Sequence, residues 1–268
     1  MNIRFSENSD IPRLKQIWKI CFGDSDKYIN FFFDNMFKPE NAVVAVCKNE
    51  AVGVVHMLNA SYDGRVFKYG YAIGVLPKFR GNSLCEKMHE FIKKYCDENG
   101  YMYGLHPAND KLSVFYKSIG LKEMYSLKTI ENLETEENES FEICDICEKE
   151  YFDIREKICK PLISWDINTI AYMMNEAKHF GGFPKKIIID GKEHIVLVKK
   201  YEDSIIVKET TMSDNEILRA NNFLKSYFNA ENASYNLSLN SELTDKFKTT
   251  IYGFNEKNNN IYMNLYFD

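Results

Sequence analysis

The stretch Ala72-Ile73-Gly74-Val75-Leu76-Pro77-Lys78-Phe79-Arg80-Gly81-Asn82-Ser83-Leu84 decides how this sequence is interpreted. Its apolar first part is typical of a strand, and Pro77 ends that strand because proline has no N–H to donate to a neighbouring strand. Gly81 permits a tight turn, and an amphipathic helix begins at Leu84. The turn therefore exposes unpaired backbone N–H groups at the positive end of a helix, an arrangement that suits a pyrophosphate.

The side chains of this turn favour the same ligand. Lys78 and Arg80 add positive charge, and Ser83 adds a hydroxyl where a bulky side chain would obstruct the loop. Taken alone, however, an ordinary strand-to-helix turn explains these residues equally well, because Arg-Gly with a nearby lysine occurs in many unrelated loops.

The segments on either side predict a mixed α/β unit. Before the turn, the patterns predict a strand over 2–5, helices over 11–22 and 26–36, and strands over 42–47, 51–60 and 66–75. After it, they predict a helix over 84–98, a strand over 101–105, a helix over 110–119 and a strand over 121–130.

Two ordered motifs resemble the GCN5-related N-acetyltransferase (GNAT) family. Val75-Leu76-Pro77 and Arg80-Gly81-Asn82-Ser83 match the family's cofactor motif, and Asn109 followed by Phe115-Tyr116-Lys117-Ser118-Ile119-Gly120-Leu121 matches a second segment. Ser83 and Lys78 depart from the family, which more often has Gly or Ala and Gln or Arg there. The resemblance covers roughly residues 1–130.

The resemblance implies an α/β (α+β) fold with a mostly antiparallel sheet flanked by helices, and acetyl-CoA as co-substrate. The strand ending at Val75 would splay from the next strand, and the pantetheine would lie in the gap. A Val75 N–H would polarise the thioester carbonyl. The residues implied in cofactor binding are Ile73, Val75, Lys78, Phe79, Arg80, Gly81, Asn82, Ser83, Leu84, Asn109 and Tyr116.

Tyr116 is the predicted general acid, because the family often places a tyrosine there and a phenol is protonated at neutral pH. The general base is left open between His106, His56, a glutamate and ordered water, with His106 preferred. His56 lies in an apolar run, where a core histidine with satisfied hydrogen bonds is the commoner outcome. Asp268 is a further candidate, because some family members use a C-terminal carboxylate.

The second half predicts another α/β domain. We expect residues 1–130 to be the acetyl-CoA-binding catalytic domain, the acidic stretch 131–150 to be a linker, and 151–268 to be a degenerate GNAT-like domain. Hairpins, a helix over 216–228 and a last strand over 261–266 are predicted there, with Gly181-Gly182-Phe183-Pro184 as a loop. The repeated element order makes internal duplication a hypothesis only.

Composition narrows the function. A net charge of −5 disfavours nucleic acid and suits a cationic small-molecule amine. No apolar run is long enough for a membrane span. The number of cysteines is odd, seven, and the N-terminus has no basic region followed by an apolar run, so we expect reduced thiols in the cytoplasm. Cys144, Cys147 and Cys159 lack a fourth zinc ligand, so no metal is expected. The sequence leaves the oligomeric state and the acceptor undetermined.

Two alternatives to an acetyltransferase remain open. The chain would be a coenzyme A-binding regulatory module if the acid or the acceptor site were lost, which Tyr116 argues against. If the cofactor turn served another role, the chain would be an aminoacyl transferase that takes its acyl group from charged tRNA. The excess of acidic over basic residues disfavours this second alternative.

Overall fold

A computed structural model of the chain describes residues 1–62, 64–158 and 163–254. These residues divide into two compact units, one formed by residues 1–124 with 251–254 and the other by residues 125–250. The predicted strand over 261–266, Asp268 and Cys159 lie outside the described residues. The predicted domain boundaries stay a prediction.

The first unit contains the helices and strands that the sequence predicts around the glycine turn. Its described elements are β1 (Asn2–Phe5), α1 (Ile11–Phe22), α2 (Asp26–Asn35), β2 (Ala42–Cys47), β3 (Glu50–Tyr62), β4 (Arg65–Val75), α3 (Leu84–Asn99), β5 (Met102–Leu105) and α4 (Asp110–Ser118). The C-terminal end of β12 (Phe247–Gly253) also belongs to it.

Strands β1 to β4 run antiparallel in chain order, and β5 pairs parallel with β4. A parallel pair needs a crossover, and α3 supplies it. On its far side β5 pairs antiparallel with β12 at Tyr252 and Gly253. The predicted fold class, a mixed and mostly antiparallel sheet with flanking helices, is confirmed.

Helix α1 covers the sheet because its apolar residues recur at helical spacing. Leu14, Ile17 and Trp18 are almost fully buried, and the opposite face carries Lys15 and Lys19. Gly23, with φ of +78°, then ends the helix in the left-handed conformation that glycine adopts without a Cβ clash.

The second unit repeats this order of elements. Its described elements are the larger part of β6 (Lys122–Ile130), β7 (Glu142–Asp145), α5 (Glu148–Ile158), α6 (Ile167–His179), β8 (Gly182–Ile189), β9 (Lys192–Tyr201), β10 (Ser204–Thr210), α7 (Asp214–Tyr227) and β11 (Asn232–Leu237). Strands β7 to β10 are antiparallel, α7 follows β10, and β11 pairs parallel with β10. Each unit thus has a strand, two helices, three antiparallel strands, a helix and a parallel strand.

Two features of this unit differ from the expectation. The predicted loop at Gly181–Pro184 is wrong from Gly182 onwards, because β8 begins there and Pro184 pairs with Leu197. Strand β7 pairs only with Lys185–Ile188 of β8, so Pro184 faces no strand on that side and needs no N–H. The acidic stretch 131–150 contains β7 and the start of α5.

Candidate functional site

Strand β4 carries a bulge shortly before its end. Tyr71 lies opposite His56 and Gly74 opposite Val54, so Ala72 and Ile73 together face a single residue of β3. Ala72 has φ of +45°, a conformation that costs an alanine about 1 kcal/mol or more. This bulge could not be predicted from the sequence, because a glycine would have marked the position and an alanine does not.

The end of β4 extends beyond β5. The β4–β5 ladder covers Phe67–Gly70 and stops where β5 ends at Leu105. The Leu76 N–H donates to Val52 O of β3 at 3.0 Å, and amides alternate in direction along a strand. The Val75 N–H therefore points away from β3, toward the side where β5 is no longer present.

The turn that follows presents its amides without a side-chain cap. Gly81 has φ of +78° and Ser83, the N-cap of α3, has φ of +53° and makes no capping hydrogen bond. Asn82 Nδ2 donates to the carbonyls of Phe79 and Arg80 at 3.1 and 3.2 Å, which keeps those oxygens inside the turn. Left-handed residues before an uncapped helix form a concave row of N–H donors that binds anions.

The two basic side chains of the turn have defined positions. Arg80 Nε donates to Val75 O at 3.0 Å, and the Lys78 ammonium lies 5.2 Å from the centroid of the Phe79 ring. Cys21 of α1 also donates to Val75 O, with its sulfur 3.6 Å away. Burial raises the pKa of the Cys21 thiol, against an opposing effect of Arg80. Cys21 is a residue of this site that the sequence did not indicate.

Helix α4 carries two more predicted residues. Asn109 caps it, since its side-chain oxygen accepts from the Leu112 N–H at 3.1 Å. Tyr116 is 5% exposed, and burial raises its pKa well above the ordinary value. Its phenol is therefore protonated at neutral pH and can donate a proton.

A buried histidine on α3 packs against Tyr116. The His89 ring lies 5.4 Å from that of Tyr116, its Nδ1 lies 2.8 Å from Cys85 O, and its Nε2 lies 3.1 Å from the Tyr103 hydroxyl. Burial lowers the pKa of His89 to about 4, so the ring is neutral. A neutral ring that donates from Nδ1 to the carbonyl accepts from Tyr103 at Nε2. The apolar pattern of α3 concealed this residue.

The two histidines considered as general bases differ in their surroundings. His106 directly follows β5 and is half-buried. His56 is 2% exposed, and neither of its ring nitrogens has a hydrogen-bond partner among the described residues. Burial lowers the pKa of His56 to about 3, which makes it a very weak base at neutral pH. The expectation of a core histidine with satisfied hydrogen bonds is wrong, since His56 is buried without them.

The matching turn of the second unit is closed by its own side chains. Ser213 caps α7 and forms a capping box with Glu216, whose carboxylate accepts from the Ser213 N–H at 2.8 Å. Strand β10 has a register shift between Val207 and Glu209, close to its end as in β4. The fully buried Glu209 accepts from Arg155 Nε at 3.0 Å. At the start of α7, where an anion would have to bind, the Glu216 carboxylate already accepts from the backbone.

The described residues are expected to hold no metal and to include no membrane span. Among residues 1–62, 64–158 and 163–254, no group of three or more His, Cys, Asp or Glu side chains is placed to hold a metal ion. Within the same ranges no helix has the length and apolar character needed to cross a membrane.

Comparison with known proteins gives a family match for the first part of the chain and a similar fold for most of it. Residues 2–122 match the family described as an acetyltransferase (GNAT) domain. No curated protein sequence matches the chain. The fold is similar to a GCN5-related N-acetyltransferase from Anabaena variabilis, with TM-score 0.70 and 12% identity over 94% of this chain and 71% of that one.

Two further solved structures share the fold. A probable N-acyltransferase from Enterococcus faecalis has TM-score 0.72 and 8% identity over 94% of this chain and 72% of its own. Eis1 from Mycobacterium abscessus has TM-score 0.68 and 11% identity over 94% of this chain and 73% of its own. Since each alignment spans 94% of the chain, the likeness extends beyond residue 122.

Proposed function

We propose that this chain transfers an acetyl group from acetyl-CoA to a primary amine of a cationic small molecule, because residues 2–122 match the acetyltransferase (GNAT) domain family. The observation that carries the proposal is the turn between the bulged end of β4 and α3, where Gly81 and Ser83 are left-handed and no side chain caps the helix. The net charge of −5 favours a cationic acceptor over a nucleic acid.

The described residues fit acetyl-CoA along its length. The N–H groups of Ile73 and Val75 would pair with the pantetheine arm and the thioester carbonyl, and the amides of residues 81–84 would hold the pyrophosphate, since the Arg80 N–H already donates to Pro77 O at 3.2 Å. Gly81 is needed there for its backbone conformation, because its φ of +78° is one that residues with a Cβ rarely adopt. Space is not the reason, since a Cβ at this position would meet no atom within 4 Å. Lys78 adds charge at the exposed rim, while Phe79 and Asn82 shape the turn.

The transfer itself would be a direct attack. The acceptor nitrogen, as a neutral amine, bonds to the carbonyl carbon, and the carbon–sulfur bond breaks. The Val75 N–H would stabilise the oxyanion that develops, which is a charge the ground state lacks. Tyr116 would donate its proton to the departing thiolate, and its raised pKa means that the phenol carries this proton at neutral pH.

The acceptor ammonium must lose a proton before it attacks. His106 at the end of β5 is the proposed base, alone or through ordered water. His56 is not proposed, because its lowered pKa leaves it with little basicity. Asn109 would act indirectly, by capping the helix that carries Tyr116.

The second unit would be a duplicated domain that no longer binds the cofactor. Its order of elements supports the duplication, and the Ser213–Glu216 capping box supports the loss, since its side chains already accept from the Ser213 and Glu216 N–H groups that a pyrophosphate would need. The six described cysteines, Cys21, Cys47, Cys85, Cys96, Cys144 and Cys147, are free thiols, which supports a reducing compartment such as the cytoplasm.

The experiment that tests this function follows release of free coenzyme A thiol from acetyl-CoA in the presence of a panel of primary amines. Acetylation of at least one amine, slowed strongly in the Tyr116→Phe variant, is the expected result. If acetyl-CoA binds tightly and no amine is turned over, the chain is a coenzyme A-binding module. If acetyl-CoA does not bind at all, the cofactor assignment itself is wrong.

A further inference from the structure

His56 lies inside a cluster of aromatic rings on the face of the sheet that α1 and α2 cover. The ring centroids of Trp18, Phe32, Phe33 and Phe37 lie 5.6, 5.2, 5.7 and 5.9 Å from that of His56. Tyr71, opposite His56 on β4, completes the group. We call His56 and these five rings the α1–α2 aromatic cluster.

The unmet hydrogen-bonding capacity of His56 indicates what would bind there. A neutral imidazole has one donor nitrogen and one acceptor nitrogen. Its N–H can rest against the electron-rich face of a neighbouring ring, but its lone pair needs a hydrogen-bond donor. Aromatic faces attract cations as well. An ammonium donates hydrogen bonds and carries positive charge, so it can bind both the lone pair of His56 and the faces of the aromatic rings.

The charged groups at the edge of the cluster have opposite signs. The Lys15 ammonium lies 5.4 Å from the centroid of the Phe33 ring, so a cation already occupies a face of that ring and a bound ammonium would use the other rings. Asp24 accepts a hydrogen bond from the Trp18 indole at 2.7 Å, which places a carboxylate beside the largest ring. An anion would meet that carboxylate and the negative ring faces.

The cluster is close to the proposed acyl site along β4. Tyr71 stands two residues before Ile73, which corresponds to at most about 7 Å, the rise of a regular strand, because Ala72 between them is bulged. An ammonium nitrogen has no lone pair and cannot attack a thioester. A protonated amine held in the cluster would therefore be an anchor, and a different nitrogen of the same molecule would react.

We propose that the α1–α2 aromatic cluster binds one ammonium group of the acceptor, with His56 as its hydrogen-bond acceptor, and that the acceptor carries a second amine that is acetylated. The ammonium site stands on the cluster alone, and only the second amine rests on the proposed function. Because the rings are in contact, entry requires one to move. Phe37 is the candidate, since it follows α2 and is half-buried.

The ammonium site is tested without acetyl-CoA, by titrating the full chain with n-butylammonium and following the indole N–H signals by NMR. The chain has two tryptophans, and Trp165, fully buried in the other unit, serves as an internal reference. We expect a saturable shift of Trp18 alone. n-Butyltrimethylammonium, which cannot donate a hydrogen bond, should bind about tenfold more weakly.

Two variants isolate the role of His56. His56→Leu removes the acceptor and fills the space with an apolar group, so it should fold, weaken n-butylammonium about tenfold and abolish the preference over the trimethylated probe. His56→Gln keeps an acceptor and should retain most of the affinity. An unshifted Trp18 signal, or equal affinities in wild type and His56→Leu, would overturn the ammonium site.

The second amine is tested by turnover. With acetyl-CoA, 1,5-diaminopentane should have a kcat/KM at least tenfold above that of n-pentylamine, and His56→Leu should remove the difference through KM. Equal kcat/KM values in the wild type would overturn the anchor role. If no acetyl transfer is seen with any amine, the proposed function fails, while the NMR titration still decides the ammonium site.

Discussion

Replacing Gly81 by glutamate separates the charge of the cofactor turn from its backbone conformation, provided that Gly81→Ala is the matched control. At φ of +78°, any residue with a Cβ lowers the free energy of unfolding by about 1–2 kcal/mol. No atom lies within 4 Å of the Cβ position, so no steric clash is added. Both variants should therefore lose similar thermal stability, a few degrees in Tm. Any difference in ligand affinity between them then comes from the added carboxylate.

The size of that difference follows from Coulomb's law. A carboxylate about 5 Å from one phosphate charge costs about 1 kcal/mol in water and about 3 kcal/mol at an effective dielectric constant of 20. The Gly81→Glu variant should thus bind acetyl-CoA between roughly fivefold and a few hundredfold more weakly than Gly81→Ala. The gap should narrow as salt is added, because the position is exposed.

Isothermal titration calorimetry at two salt concentrations measures these affinities, with thermal unfolding as the check on folding. Equal dissociation constants for Gly81→Glu and Gly81→Ala would refute the placement of the pyrophosphate at this turn. So would a difference that is insensitive to salt, because it would indicate a change of structure rather than of charge.

Three further predictions concern the acid, the second unit and pH. Tyr116→Phe should bind acetyl-CoA with unchanged affinity and lower kcat by about 10²–10⁴-fold, measured by steady-state kinetics; an unchanged kcat would assign the acid elsewhere. Ser213→Ala should remove about 1 kcal/mol of stability and leave acetyl-CoA affinity unchanged, so an affinity loss in calorimetry would contradict the proposal that the second unit lacks a cofactor site. His56 and His89 have lowered pKa values in the folded protein, about 3 and about 4, so the unfolded chain takes up protons more readily. The free energy of unfolding should therefore fall as pH drops from about 6.5 toward 4, by up to about 1.4 kcal/mol per pH unit for each histidine, and urea unfolding that is flat over this range would contradict their buried, neutral state.

Much of the first unit could be predicted because its signals are local. Pro77, Gly81 and Gly100 mark where elements stop, and the spacing of apolar residues in α1 and α3 follows the helix period. The strand-to-helix turn needed no tertiary information, since its conformation depends on residues that are adjacent in the chain.

The missed features depend on residues that are distant in sequence. The β4 bulge arises from the register between Tyr71 and His56, and Ala72 shows no mark of it. The contact of Cys21 with Val75 O joins residues 54 positions apart. Pro184 looked like a loop residue because the sequence does not reveal that β7 ends before reaching it.

Hydrogen exchange with and without acetyl-CoA compares cofactor binding at the two units within one molecule, because both carry a strand-to-helix turn. We predict that acetyl-CoA slows exchange at the amides of Ile73, Val75 and residues 81–86. The capped turn at residues 213–216 should exchange at the same rate in both conditions. Protection at 213–216 with none at 81–86 would contradict the account, and so would protection at neither turn when acetyl-CoA is saturating.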